Sequence, residues 1–158
     1  MPFFPRVPLP KVLRRSTASS TQLSPHFTLG EFACKCGRWP KCTRTRPAPA
    51  LIGALENARA KFYRDGLVVL SGVRDATYNA SVGGAPRSQH VAGRAADFKE
   101  PRMTILQAIA CGFTGIGVER HGSRWIVSHG DVRPLPQGAD PIVWQYPSRG
   151  MVPRGEWT

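Results

Sequence analysis

A histidine and an aspartate lie seven residues apart in the segment Ser88–Asp97, whose sequence is SQHVAGRAAD. The residues between them are mostly small, so the backbone can curl and bring an imidazole and a carboxylate to one point, as a zinc ion requires. A second histidine, His129, follows a strand-like run and offers a third ligand. Three protein ligands leave one coordination position for water, which is typical of a catalytic zinc. The pattern therefore predicts a hydrolytic zinc site at His90, Asp97 and His129.

Several segments resemble, in the same order, those of a known family. The pattern S-x-H-x-x-G-x-A-x-D resembles the signature of the zinc D-Ala-D-Ala carboxypeptidases and of the phage L-alanyl-D-glutamate endopeptidases, which share the Hedgehog/DD-peptidase fold. The flanking segments that also match are HFTLGEF at 26–32, LSGVR at 70–74, GIGV at 115–118 and HGDVR at 129–133. The resemblance implies a zinc peptidase that acts on peptidoglycan stem peptides.

The resemblance also implies roles for individual residues. His129 matches the third zinc ligand, and Arg74 matches an arginine that holds the substrate carboxylate. A guanidinium suits that task because it grips a carboxylate through two hydrogen bonds, and a C-terminal D-amino acid or a D-glutamyl group provides one. An ion pair with Asp75 is the structural alternative for Arg74. Ser88 is expected to bind substrate or to orient a ligand.

The general base is less well defined by the sequence. A zinc peptidase needs a group that takes a proton from water and delivers it to the leaving amine. Better-known branches of the family carry an acid three residues before the last histidine, where this chain has Ile126. Asp131 lies two residues beyond His129, on the same face of a continuing strand, and is the predicted base. Glu119 is the alternative. If neither carboxylate reaches the water, the fold could serve as a binding module.

These residues must be positioned by a small α+β domain with a short antiparallel sheet and flanking helices. A capping box at Thr28 and Glu31 predicts a short helix or turn, and apolar residues at helical spacing predict a helix over 51–62 that Gly66 ends. The other predicted elements are a strand at 67–70, an irregular loop at 75–87, a helix at 103–111 that Gly112 ends, and a hairpin of 115–119 and 124–128.

The four cysteines leave three alternatives open. Cys34, Cys36 and Cys42 cluster, whereas Cys111 stands alone in a predicted helix and is expected in the core. The pattern C-x-C-x5-C lacks a fourth zinc ligand unless His26 supplies it. A disulfide between Cys36 and Cys42 requires an oxidising compartment. The third alternative is that these small side chains simply close a loop.

Composition agrees with a single folded unit that carries a strong charge. The chain has 158 residues, is 41% hydrophobic and contains 15 prolines and 16 glycines, as in a loop-rich domain. Its formal net charge of +12 favours association with a polyanion, for which an anionic wall polymer, nucleic acid and an acidic membrane all qualify. The sequence does not distinguish among these three polyanions and does not predict an oligomeric state.

The first segment of the chain differs from the rest. Residues 1–25 are rich in proline and then in serine and threonine, which predicts a basic arm followed by the peptidase-like domain at 26–158. The arm's positive charges are Lys11, Arg14 and Arg15. No apolar run approaches the ~20 residues of a membrane span, and the N-terminus lacks the apolar stretch of a secretory signal. The arm is expected to be a disordered tail or to dock on a partner or nucleic acid.

Two functional hypotheses follow from these features. The first is a zinc-dependent peptidase that cuts peptidoglycan stem peptides, as a D,D-carboxypeptidase or as an endopeptidase. Its small size, charge and apparent lack of a secretion signal would suit a phage lysis enzyme found in the host cytoplasm or the virion and acting at the cell wall. The second is a non-catalytic virion or nucleic-acid-associated protein that reuses the fold for binding. The scissile bond is not predictable, since specificity lies in loop shape.

Overall fold

A mixed β-sheet organises the domain. The computed structural model describes residues 17–99, 102–146 and 150–157. Within them the sheet has the order β1-β2-β4-β3-β5, with β1 at Val69–Ser71, β2 at Ala95–Phe98, β3 at Gly115–His121, β4 at Arg124–Asp131 and β5 at Ile142–Gln145. Neighbouring strands are antiparallel except β5, which runs parallel to β3. The predicted α+β class and the predicted hairpin are confirmed.

Local signals explain where the helices begin and end. The helices are α1 at Pro49–Phe62, α2 at Ala76–Ser81 and α3 at Ile105–Cys111, with short 3-10 helices at Thr17–Ser20, Leu29–Phe32 and Arg154–Glu156. Proline starts α1, where its missing N–H costs nothing. A capping box of Thr104 and Gln107 starts α3, and Gly112 ends it with a left-handed φ of 105°.

The two longer helices share one hydrophobic core with the sheet. The buried side chains of α1 and α3 include Leu51, Leu55, Ala58, Ile105 and Ala108, and those of the strands include Phe98, Ile116, Val118, Val127 and Val143. Because successive side chains of a strand alternate between its faces, residues next to these core positions point to the opposite face. That opposite face is where the candidate site lies.

The start of the described chain is joined to the domain. The N–H of Leu29 donates to the carbonyl of Thr21 at 2.8 Å, and Gln22 pairs with Thr28 in a β-bridge. The predicted boundary between arm and domain at residue 25 therefore falls inside hydrogen-bonded structure. The predicted basic residues of the arm lie outside the described residues: Lys11, Arg14 and Arg15.

Several predicted elements differ from those observed. The strand predicted at 67–70 lies at Val69–Ser71, and the loop predicted at 75–87 contains α2, whose first turn is capped by Asp75 accepting from the N–H of Tyr78 at 3.0 Å. Strands β2 and β5 were not predicted. Among the described residues we find no helix whose length and hydropathy would let it cross a bilayer.

Candidate metal centre

His90 is held by the turn that precedes β2. Its ring Nδ1 lies 2.7 Å from the carbonyl oxygen of Gly72, so Nδ1 carries the proton and donates it there. Nε2 of the neutral ring is then a bare acceptor. The side chain is buried, and burial lowers the pKa of His90, which favours this neutral form. The backbone N–H of His90 donates to Ser88 Oγ at 3.3 Å, so Ser88 supports the turn. Ser88 also lines a cavity that opens beside the imidazoles.

Gly93 allows the turn to close before β2 begins. It has a φ of +71°, and a Cβ added there would collide with the carbonyl oxygen of Arg46. Any other L-residue would meet both the left-handed backbone strain and this contact. The chain then enters β2, where Ala96 and Phe98 face the core and Asp97 between them faces the site. The glycine of the sequence pattern thus allows this turn to pack closely against the backbone at Arg46.

A β-bulge directs His129 to the same place. Gly117 and Val118 are consecutive on β3 but pair with His129 and Val127 on β4, so Ser128 is an extra residue. In a regular strand without this bulge, Val127 and His129 are two residues apart and would share one face of the sheet. Val127 is fully buried in the core, whereas His129 turns to the opposite face and meets Asp97. Gly117 leaves room beside the imidazole, because a Cβ there would press on His129 and Trp144.

Asp131 and Arg133 fix the orientation of His129. The Nε2 of His129 lies 3.2 Å from Asp131 Oδ2. Arg133 donates to the same carboxylate from Nη2 at 2.6 Å, from Nε at 2.8 Å and from its backbone N–H at 3.1 Å. Although burial opposes it, Arg133 and His129 hold the pKa of Asp131 at about 2. Both ring nitrogens of His129 face a carboxylate, Nε2 that of Asp131 and Nδ1 that of Asp97. In the neutral tautomer that donates from Nε2 to Asp131, Nδ1 is an acceptor.

Three acceptor atoms therefore converge. His129 Nδ1 lies 2.8 Å from Asp97 Oδ1, His90 Nε2 lies 3.2 Å from the same oxygen, and the two nitrogens are 3.3 Å apart. Bonds of about 2.0–2.1 Å from a tetrahedral zinc place its ligand atoms about 3.3 Å from one another. In the tautomers that donate from His90 Nδ1 to Gly72 and from His129 Nε2 to Asp131, no proton of the neutral imidazoles lies between these atoms. The set fits a cation with one further position open.

The pKa shifts of His129 and Asp97 also indicate that this cluster stabilises a positive charge. Burial alone would lower the pKa of His129, but Asp131 and Asp97 outweigh it and raise that pKa. The pKa of Asp97 is lowered despite burial, because His129 and His90 both favour its carboxylate form. A proton on the cluster is stabilised here in the way that a metal ion would be.

Arg74 contacts the centre from the side. Its Nη2 donates to Asp97 Oδ2 at 2.6 Å and its Nε donates to Ser71 Oγ at 3.0 Å. The structural alternative, an ion pair with Asp75, is not what the structure shows. Arg74 also lines the cavity, so its predicted hold on a substrate carboxylate stays a prediction.

The structure separates Glu119 from these residues. Glu119 lies toward the hairpin turn opposite Ile126, is about half exposed, and its Oε2 is 3.9 Å from Nε2 of His121. Glu119 does not line the cavity beside His90 and His129. His121 is exposed; it ends β3 and is followed by the turn. The alternative assignment of Glu119 as general base therefore lacks support from its position.

His26 also lies elsewhere. Its Nδ1 is 2.7 Å from Glu56 Oε2, and Glu56 Oε1 accepts from the backbone N–H of His26 at 3.0 Å and from Ser24 Oγ at 2.6 Å. Burial would raise the pKa of Glu56, but the bonds from Ser24 and His26 outweigh burial and lower it. The candidate role of His26 as a fourth ligand of the cysteines is wrong, because the group that lies within ligand distance of the three cysteines is Asp75 and His26 is not part of that cluster.

A cavity of about 300 Å³ opens beside the imidazoles. Its lining includes both histidines and, from elements that the sequence did not assign to the site, Arg87, Trp144 and Tyr146. The ring centroid of Trp144 lies 5.2 Å from that of His129 and 4.9 Å from the guanidinium carbon of Arg133. The aromatic wall comes from β5 and the residue after it, and the only sequence signal for it is the apolar run of residues 142–144 after a proline-rich stretch.

Comparison with known proteins adds to this geometry. Residues 25–127, more than half of the chain, match the family described as Peptidase M15. The chain belongs to the Peptidase M15 family. The predicted resemblance to the zinc D-Ala-D-Ala carboxypeptidases is thereby confirmed at the level of the family. The match includes His90 and Asp97 and ends before His129, which the sheet places beside them. No curated protein matches the chain.

Proposed function

We propose that this M15 protein is a zinc-dependent peptidase that hydrolyses peptidoglycan stem peptides, as a D,D-carboxypeptidase or as an L-alanyl-D-glutamate-type endopeptidase. One observation carries the proposal: the acceptor atoms of His90, Asp97 and His129 converge within 2.8–3.3 Å of one another at a cavity wall. Zinc held by this set would polarise a peptide carbonyl and lower the pKa of water.

The chain's own residues would prepare the ligands. Arg133 fixes Asp131, which accepts from Nε2 of His129 and so keeps Nδ1 aimed at Asp97. Arg74 holds the second oxygen of Asp97, which leaves Oδ1 directed at the imidazoles. Such outer hydrogen bonds fix the tautomer and raise the basicity of metal ligands.

Asp131 is proposed here as an orienting residue. Its carboxylate accepts four hydrogen bonds and is fully buried, so neither oxygen is free to take a proton from the water that the metal would activate. The role of general base, which its sequence position predicts, requires a carboxylate within hydrogen-bond reach of the cavity's water. The two roles give different outcomes when Asp131 is substituted.

The cavity suits a peptide that carries a carboxylate. Arg87 is exposed on its wall and forms no ion pair with a carboxylate among the described residues, whereas two of the nitrogens of Arg74 are occupied. A substrate carboxylate could therefore bind Arg87 and the free Nη1 of Arg74. Trp144 and Tyr146 would pack against the peptide's apolar atoms. The chain's net charge of +12 would draw it to an anionic wall, in keeping with a lysis enzyme of phage origin.

A specific observation also favours the non-catalytic alternative, in which the fold binds a virion component or nucleic acid. In the described part of the cavity wall, the only carboxylate is that of Asp131, and Arg133 engages it. A centre without a free base would retain zinc and lack turnover.

Metal analysis combined with digestion of purified peptidoglycan tests both functions. We expect the full chain to release stem-peptide fragments that mass spectrometry identifies, and two synthetic peptides, one ending in D-Ala-D-Ala and one containing the L-Ala–D-Glu bond, report the scissile bond. His90→Ala should lose both the zinc of this centre and the activity, whereas His121→Ala, which changes an exposed histidine, should keep both. Unchanged zinc content in His90→Ala would refute the ligand assignment. Zinc retention without cleavage of any substrate would favour the binding alternative.

A further inference from the structure

Three cysteines and an aspartate form a second cluster away from the cavity. The Sγ atoms of Cys34, Cys36 and Cys42 and a carboxylate oxygen of Asp75 all lie within 4.8 Å of one another. The sequence left a disulfide, a metal site and a simple loop closure open for these cysteines. The structure supplies the fourth group from a position 33 residues farther along the chain than Cys42, where sequence spacing gives no signal.

The contacts within the cluster are directed at the sulfur atoms. The backbone N–H of Asp75 donates to Cys34 Sγ at 3.3 Å, and the backbone N–H of Arg38 donates to Cys36 Sγ at 3.4 Å. Cys34 Sγ also lies 3.2 Å from Asp75 Oδ2. Between Cys36 and Arg38 the chain turns at Gly37, whose φ of +76° only glycine adopts without strain. Backbone N–H groups aimed at sulfur stabilise the thiolate, which is the form that binds metal.

We propose that Cys34, Cys36, Cys42 and Asp75 hold a structural zinc ion, separate from the candidate metal centre. Bonds of about 2.3 Å to sulfur place the sulfur atoms of a tetrahedral site about 3.8 Å apart, which agrees with the observed upper bound of 4.8 Å. Four protein ligands leave no open position, which is the mark of a structural site. A disulfide would use two sulfurs and leave the third beside a carboxylate.

The surroundings suit an anionic complex of zinc with three thiolates and a carboxylate. The loop carries Lys35, Arg38 and Lys41 between and beside the cysteines, and Arg38 Nη2 lies 4.0 Å from Asp75 Oδ1. Cys111, by contrast, is buried in α3 and is not part of the cluster. It therefore provides a matched control for substitution of a cysteine.

Zinc counting on the full chain, purified under reducing conditions, tests the proposal. We expect about one zinc per chain to remain in His90→Ala and to be lost in Cys36→Ser, while Cys111→Ser keeps the wild-type content. Replacement by cobalt should give thiolate-to-cobalt charge-transfer absorption in wild type and in His90→Ala, and no such absorption in Cys36→Ser.

These outcomes separate this site from the proposed function. Zinc that is lost in Cys36→Ser but unaffected by His90→Ala supports the cysteine site even if the proposed peptidase centre fails. No zinc in His90→Ala, or a Cys36–Cys42 disulfide found by mass spectrometry in the reduced preparation, would overturn the cysteine site. Should Cys36→Ser not fold, alkylation of wild type decides: zinc must protect Cys34, Cys36 and Cys42 until a chelator is added, and equal labelling with and without chelator would overturn the proposal.

Discussion

Replacement of Asp131 by asparagine separates two roles that the sequence and the geometry assign to this residue. The carboxylate accepts from His129 Nε2 at 3.2 Å and receives three further hydrogen bonds from Arg133. Asparagine keeps the size of the side chain but removes its charge and offers one acceptor oxygen instead of two. The variant therefore weakens the hold on His129 and leaves Arg133 without its anionic partner.

The expected loss is in metal affinity. Outer-shell partners of metal-bound histidines typically contribute about 10–100-fold to affinity. That range corresponds to about 1.4–2.7 kcal/mol of binding free energy. A base with a pKa of about 2 would also be a poor acceptor for the proton of a water near neutral pH. We therefore expect the zinc dissociation constant of Asp131→Asn to rise about 10–100-fold, and turnover to recover most of its wild-type value when zinc is saturating.

A competition titration against a chromophoric chelator measures this affinity, and peptidoglycan digestion at increasing zinc measures turnover. Asp140→Asn changes an exposed aspartate that pairs with Arg154 and serves as the control. The reasoning is refuted if Asp131→Asn binds zinc as tightly as wild type and loses about 100-fold or more in turnover, because that is the scale of a lost general base. Glu119→Gln should leave both quantities unchanged.

Three further predictions concern stability and charge. Glu56→Gln should lower the free energy of unfolding at pH 7 by about 1 kcal/mol. Because the folded pKa of Glu56 is lowered, this difference exists above the ordinary glutamate pKa and disappears as the pH falls through the folded pKa. Urea titrations of wild type and variant at pH 7 and at a pH below the folded pKa measure it. Left-handed backbone strain alone costs about 1–2 kcal/mol, which is the loss expected for Gly138→Ala, where an added Cβ meets nothing. Gly93→Ala should destabilise the chain by more than this, because its Cβ would also collide with the carbonyl oxygen of Arg46. Equal melting temperatures for the two variants would contradict that collision. Deleting residues 1–16 should weaken binding to wall material or nucleic acid, and most at low salt, because salt screens exposed charges. Cleavage of a small stem peptide should stay unchanged. Undiminished binding would exclude a role for the arm.

Much of the domain follows from short-range patterns. The period of apolar residues gives α1, capping residues give the 3-10 helix after Thr28 and the start of α3, and paired β-prone runs give the hairpin. The type and spacing of His90, Asp97 and His129 also predicted three residues that the sheet does bring together. The helices and the hairpin depend on neighbours a few residues apart, which sequence patterns record, whereas His129, 32 residues from Asp97, was predicted from its residue type and its match to the family.

The remaining features depend on partners far along the chain. β2 contains two alanines and an aspartate and lacks the β-branched residues that mark a strand, so its pairing with β4 decides its conformation. The bulge at Ser128 is a register shift between strands, and sequence alternation without it would place His129 in the core. The hydrogen bonds from Arg133 to Asp131 likewise occupy the carboxylate that the two-residue spacing predicted to be the general base.

Two consecutive residues connect the candidate metal centre to the cysteine cluster. Arg74 donates to Asp97, while the next residue, Asp75, faces Cys34 and caps α2. Asp75 has extended backbone angles, and consecutive side chains of an extended segment point in opposite directions, so a single stretch of backbone serves both clusters. A zinc ion on the cysteines would thus fix the segment that presents Arg74 to the ligand Asp97. This segment is already held by backbone hydrogen bonds from Val73 to Phe32 at 2.9 Å and from Arg74 to His90 at 3.1 Å. A zinc ion would add a cross-link to the loop from Cys34 to Cys42, which contains no regular helix or strand.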